Sequence, residues 1–98
     1  MKLLGAGRIA EAKRLHANAA PALSVWVAEV TSPETRWRSF LDLRRRFPSA
    51  DKVGDRYVFN IRGNRYRLIA QIDFAAGLVF VRWFGTHASY DKIRVEEV

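Results

Sequence analysis

The strongest constraint on the fold lies between Tyr57 and Ile72. Tyr57, Phe59 and Ile61 alternate with Val58, Asn60 and Arg62, the period of two that a strand with unlike faces requires. Gly63-Asn64 follows, a pair able to take the positive φ values of a tight hairpin turn. With that turn, Arg62 falls opposite Arg65, Asn60 opposite Arg67 and Phe59 opposite Leu68. One face of the hairpin then carries Tyr57, Phe59, Ile61, Tyr66, Leu68, Ala70 and Ile72, which is a core. The other carries Val58, Asn60, Arg62, Arg65, Arg67, Ile69 and Gln71, and is cationic and polar at one end.

A third strand, Leu78 to Phe84, is registered by the position of Arg82. A four-residue loop, Phe74 to Gly77, pairs Ile72 with Val79, Ala70 with Val81 and Leu68 with Trp83. It places Arg82 opposite Ile69 on the polar face, whereas a three-residue loop drives Arg82 into the core. An unpaired buried charge costs several kcal/mol and a one-residue slip turns every side chain over, so the four-residue loop is preferred. Arg62, Arg65, Arg67 and Arg82 then share one sheet face, with Thr86, His87, Tyr90 and Asp91 just beyond it. Charged outer faces are ordinary in antiparallel sheets, so this face alone does not establish a site.

The first half of the chain reads as helical. Met1 to Leu4 suits a short opening strand, and Arg8 to about Asn18 has an apolar stripe of Ile9, Ala12, Leu15 and His16. A histidine at the border of such a stripe is more often a partly buried surface residue than a ligand. Pro21 suits a first helical turn, and Leu23, Trp26, Val27 and Val30 make 21–31 amphipathic. Ser32-Pro33 predicts the cap and first residue of a third helix, which Pro48 ends after Phe47. Arg44 to Arg46 fit that helix's C-terminus, where cations are favoured, or alternatively a surface for RNA or an acidic partner. Ala50 to Arg56 reads as a polar loop. The expected fold class is α+β: a small antiparallel sheet of three to four strands with two or three N-terminal helices packed on one face. Trp26, Trp37, Phe40, Phe47, Phe59, Leu68, Val81 and Trp83 would form the core.

Composition narrows the function classes. The 98 residues suit one domain, 1–98, with a modest core. A formal net charge of +7 favours a polyanionic or acidic partner. The excess is spread along the chain, so its clustering on one sheet face is the sharper signal. The lack of cysteine excludes disulfides and fits a reducing cytoplasm. Met1-Lys2-Leu3-Leu4 opens like a leader, but Gly5, Arg8, Glu11 and Lys13 leave no apolar segment, so an intracellular protein without membrane association is expected. Gly5 and Gly7 lack the rest of a phosphate loop, His16 and His87 are too isolated for zinc, and no serine sits in a nucleophile elbow. Neither cofactor nor metal is expected.

RNA cleavage by the substrate's own ribose hydroxyl remains open. It needs a proton acceptor for the 2′-hydroxyl, a proton donor for the departing 5′-oxygen, and cations on the crowded phosphate. Histidine can do either proton job, tyrosine can donate a proton or stack on a base, and arginine matches phosphate oxygens. His87, Tyr90, Arg67 and Arg82 supply these types from one edge of one sheet.

These residues resemble a known family. VFNIRGNRYRLIAQIDF (58–74), VFVRWFGTHASYDKI (79–93) and the upstream FPSAD (47–51) are similar to the HigB toxins of type II toxin–antitoxin modules, within the RelE-like superfamily. The resemblance implies an mRNA interferase, a metal-independent endoribonuclease that cuts mRNA, in many relatives on the ribosome. It also implies a HigA-type helix-turn-helix antitoxin that neutralises the toxin and represses the operon. Carried over by position, His87 is the acid/base residue, Arg67 and Arg82 hold phosphate, and Tyr90 and Asp91 orient or assist. Asn60 supports Arg67 across the hairpin, and with Arg62, Arg65 and Lys92 it contacts RNA. The opening GAGRIAEA departs from the firmer first strand expected of the family. A non-catalytic RNA-binding or partner-binding module on the same scaffold is the alternative reading. Sequence-specific DNA binding fits poorly, since no helix-turn-helix pattern appears.

Overall fold

The structure, a computed structural model describing all of residues 1–98, is organised on a five-stranded sheet. In chain order the elements are β1 (Lys2–Leu4), α1 (Ala6–Leu15), a 3₁₀ turn (Ala17–Ala19), α2 (Ala20–Thr31), α3 (Phe40–Arg46), β2 (Asp51–Val53), β3 (Arg56–Ile61), β4 (Tyr66–Asp73), β5 (Leu78–Thr86), α4 (His87–Tyr90) and a 3₁₀ turn (Val95–Glu97). The strand order is β1-β5-β4-β3-β2. The fold is α+β with α1, α2 and α3 on one face, as the sequence pattern predicts. Two three-residue strands at the edges raise the strand count to five, and β1 runs parallel to β5, Lys2 beside Leu78, so the sheet is mixed. β2 replaces the expected polar loop. Gly54, at φ 61°, turns the chain so that Val53 pairs with Arg56, in a hairpin too short to show a periodic pattern.

The β3–β4 register is the one the alternation predicts, with Phe59 opposite Leu68 and Asn60 opposite Arg67. Its turn is built differently. Left-handed backbone falls on Arg62 (φ 53°) and Gly63 (φ 63°) rather than on Gly63 and Asn64. Arg62 thereby leaves the pleat, and its side chain is not aimed by strand alternation.

The β4–β5 hairpin keeps its four-residue loop, with Ile72 opposite Val79 and Ala70 opposite Val81. Beyond that point the expected register fails. A bulge makes Arg82 an extra residue, so Trp83 faces Ile69 and Phe84 faces Leu68. Trp83 is therefore not a core residue beside Leu68, and Arg82 is not opposite Ile69. The bulge gives each aromatic a separate seat. Phe84 stacks on Tyr66 on the helical face, with ring centroids 5.4 Å apart and planes at 16°. Trp83 crosses to the other face and lies over Gly85, where a Cβ would stand 2.5 Å from its Cη2.

The third helix also starts later than Ser32-Pro33 suggests. The Ser32 hydroxyl accepts from the Glu34 N–H and its carbonyl from the Thr35 N–H, closing a local turn instead of a helix. Ser39 is the working cap of α3: its hydroxyl accepts from the Asp42 N–H, while the Asp42 carboxylate accepts from the Arg38 N–H. Trp37 is buried from the connecting loop.

The main core lies between the helices and the sheet. Leu23, Trp26, Val30, Leu43, Phe59 and Leu68 are almost wholly buried there, with Phe40 and Phe47 packed against them. A second, smaller core covers the middle of the opposite face. Val95 is buried on Val58 and Ile69, with Ile93 and Val98 beside it, and the Arg56 Nε donates to the Val98 carbonyl at 2.9 Å. That face is therefore only partly open, contrary to the sequence reading. No helix is long and apolar enough to cross a membrane.

Candidate active site

The open part of the second face lies at its β3–β4 turn end. Arg67 stands there with Asn60 on one side and Gly85 on the other. Because position 85 has no side chain, the Trp83 indole occupies the space above it. Tyr90 of α4 stands beyond, its ring centroid 6.3 Å from that of Trp83. The Arg67 guanidinium lies over the Tyr90 ring at 5.6 Å, a cation–π contact. Glycine, indole, phenol and guanidinium thus stand one against the next, the indole and phenol rings tilted at 54°, beside the half-buried Arg67.

α4 exists because Thr86 caps it. The Thr86 Oγ1 accepts from the Ser89 N–H at 3.1 Å and donates to the Ser89 Oγ at 3.0 Å. The His87 N–H donates to the Arg65 carbonyl at 3.0 Å, which pins His87 beside the end of β4. The Asp91 Oδ2 lies 3.3 Å from the His87 Nδ1. That contact engages Nδ1, and no protein group hydrogen-bonds Nε2. Burial raises the Tyr90 pKa; Arg67 pulls it down, while Asp51, Asp91 and Glu96 push it up. The phenol therefore keeps its proton well above neutral pH, with an O–H available to donate.

Arg62, Arg65, Arg67, Arg82 and Lys92 have no carboxylate within 4.0 Å, although several other arginines do. The contrast with Arg44 to Arg46 is informative. Arg46 is ion-paired with Glu29, Arg45 approaches Asp42 at 3.6 Å, and Arg44 lies over Phe40 and donates to the Pro48 carbonyl. That run is satisfied within the protein. The arginines around His87 lack a counter-charge, although Arg67 donates to the Asn64 and Tyr66 carbonyls.

Six of the residues picked from sequence, Asn60, Arg65, Arg67, His87, Tyr90 and Asp91, gather at this end of the sheet. Asn60 faces Arg67, yet no side-chain hydrogen bond joins them. Arg62 sits in the turn, Lys92 is exposed after α4, and Arg82 lies in the β5 bulge with its Nε buried and unpartnered. Trp83 and Gly85 were not read as parts of the site; the Trp-x-Gly spacing, an indole two residues before a bare strand position, is the signal that marks them. No three histidine, aspartate or glutamate side chains converge to hold a metal, and His87 and Asp91 stand as a pair. The largest concavity, about 830 Å³, lies elsewhere, between Met1, Trp37 and Phe74, and contains none of these residues.

Residues 19–93 match the family model HigB_toxin, described as the RelE-like toxic component of a toxin–antitoxin system. The matched segment contains the whole cluster from Asn60 to Lys92. Among curated proteins, the chain is similar to an mRNA interferase HigB of Escherichia coli O6:H1, 36% identical over 63 residues. That stretch is 61% of this chain and 61% of that relative's length.

Proposed function

This chain belongs to the HigB family of RelE-like toxins, and on that premise we propose that residues 1–98 act as a single toxin domain with endoribonuclease activity on mRNA. The observation that carries the reading is the group of Arg67, Tyr90, His87 and Asp91 on an open sheet end whose arginines lack internal counter-charges. In the proposed reaction the 2′-oxygen attacks the adjacent phosphorus and loses its proton, the P–O5′ bond breaks, and the departing 5′-oxygen gains a proton. A 2′,3′-cyclic phosphate and a 5′-hydroxyl result. His87, oriented by Asp91, transfers a proton through Nε2. Tyr90 donates a hydrogen bond or proton, and its raised pKa keeps the O–H in place. Arg67, seated on Tyr90, holds the phosphate, and Arg82 adds charge at the β5 edge. Asn60, Arg62, Arg65 and Lys92 contact the RNA on either side.

The family's place in toxin–antitoxin systems supports an antitoxin as partner, and we assign it to the HigA helix-turn-helix type. The named activity of the Escherichia coli relative supports mRNA as substrate, with the translating ribosome as the setting and the cytoplasm as the compartment. Purified protein incubated with mRNA, with and without translating ribosomes, tests the proposal. Cleavage leaving cyclic-phosphate ends is the expected result. RNA binding without cleavage under both conditions would sink the enzyme reading in favour of a binding module.

A further inference from the structure

We propose that the cleft between α1 and the free outer edge of β5 is a nucleobase subsite, selective for a base with an exocyclic amine next to the cut phosphate. The inference rests on the RNA-cleaving reading and adds to it a determinant of sequence preference. β1 pairs with β5 only from Leu78 to Phe80, so the outer edge beyond the bulge is left to α1. There Arg8, Glu11, Leu15, His16, Trp83 and Phe84 line a shallow cavity of about 140 Å³. A water's share of liquid volume is roughly 30 Å³, so the space suits one planar ring system and not a whole nucleotide.

Three observations make the cavity fit a base. Its lining includes aromatic and apolar residues: Trp83 and Phe84 are half-buried, His16 stands edge-on to Phe84 at 5.6 Å, and Leu15 is 59% exposed at the mouth. Bases stack on such walls regardless of sequence. Trp83 links the cleft to the proposed chemistry, because it lines the cavity and its ring lies 6.3 Å from that of Tyr90, on which Arg67 rests. A base seated there belongs to a nucleotide adjoining the phosphate that Arg67 holds. Finally, the polar lining is asymmetric. Arg8 has no carboxylate partner and suits a neighbouring phosphate. Glu11, whose side chain is 62% exposed, has only a long approach to Arg14 at 3.7 Å. A carboxylate accepts from the exocyclic amine of cytosine, adenine or guanine, and finds no such donor on uracil.

The test uses the full chain and two readouts. Hexaribonucleotides carrying 2′-O-methyl groups throughout, which cannot supply the nucleophile, are titrated with an abasic residue moved through each position. The ends of mRNA cut by wild type and by Glu11→Gln are sequenced. The expected binding result is one abasic position that loses about tenfold or more in affinity, within the ~5–150-fold that stacking of one base is worth. Uracil should be disfavoured by about tenfold at one position beside the cut. Glu11→Gln should flatten that preference. Equal losses at every abasic position, or an unchanged base distribution in Glu11→Gln, overturn the subsite while leaving the nuclease reading intact. A localised abasic loss without any cutting supports the subsite and removes the nuclease reading. Absence of both binding and cutting overturns both.

Discussion

Replacing Gly85 with alanine is the most searching test of how the site is built. Gly85 has no positive φ, so its backbone offers no objection to a side chain, and alanine is the smallest one possible. What stands in the way is the indole. A Cβ at position 85 would lie 2.5 Å from the Trp83 Cη2 and 2.7 Å from its Cζ2, inside van der Waals contact with a rigid ring. The ring must swing away from β5, and overpacking of this kind costs about 1–3 kcal/mol. At roughly 4–8 °C per kcal/mol for a domain of this size, the melting temperature should fall by roughly 5–20 °C. Trp83 cannot move alone, because Tyr90 lies against it and Arg67 over Tyr90. A displacement of about 1 Å at a group that positions the reacting phosphate, the role proposed for Arg67, can lower a rate by ~10², so RNA cleavage should drop by that order. A double-mutant cycle isolates the cause. Trp83→Ala alone should cost roughly 2 kcal/mol, below the ~3–5 of a fully buried tryptophan because Trp83 is only half-buried. In that background Gly85→Ala should be close to neutral, a coupling of at least about 1 kcal/mol. Equal destabilisation by Gly85→Ala with and without Trp83 would refute this arrangement, as would a Gly85→Ala protein with wild-type stability and cleavage.

Four further outcomes are expected. His87→Gln should lower cleavage by ~10²–10⁴ while RNA binding, measured by filter retention, changes little. Arg65→Ala should weaken binding across sequences and reduce the salt slope by about 0.7, the value for one lost phosphate contact on a single strand; an unchanged slope would put the RNA elsewhere. Tyr90→Phe should leave the fold intact and lower cleavage, and wild-type activity that needs the phenol proton should persist above the ordinary phenol pKa because Tyr90 is raised. Hydrogen bonding and charge from Arg46 hold the Glu29 pKa below the usual carboxylate value. Stability from that pair is therefore present above the unfolded value and lost as pH falls through the lowered one, so Glu29→Gln should flatten the acid limb of a pH–stability curve.

The parts of the fold legible in the sequence were those in which local chemistry and packing agree. Tyr57 to Ile72 alternate so strictly that only one β3–β4 register buries the apolar set. Arg82 showed where the β4–β5 loop must close, but not the bulge, because Val81-Arg82-Trp83-Phe84 contains no glycine or proline to announce one. Only the sizes of Trp83 and Phe84, competing for one seat opposite Leu68, decide it. Ser32-Pro33 is as good a helix start as Ser39 by residue type, and Trp37 settles the matter by being buried from a loop. The second core was missed because Ile93, Val95 and Val98 are too sparsely spaced to form a periodic stripe. Most of the candidate site was legible because strand register aligns Arg65 and Arg67 with Gly85 and the start of α4. The supporting role of Trp83 was not, since it depends on which face the bulge assigns it.

The parallel pairing of β1 with β5 also sets a timetable for the growing chain. Lys2, Leu3 and Leu4 leave the ribosome well before their partners Leu78, Val79 and Phe80 are made. At roughly 5–20 residues per second, the opening strand waits for several seconds without a sheet edge to join. α1 has the same delay, because it packs on β5. His87, Tyr90 and Asp91 arrive later still. A chain interrupted before β5 lacks both the seam that closes the fold and the residues proposed for the chemistry, so the proposed cleavage would switch on only once β5 and α4 are made. Those seconds would give the proposed antitoxin an interval to meet each new molecule before the proposed activity begins.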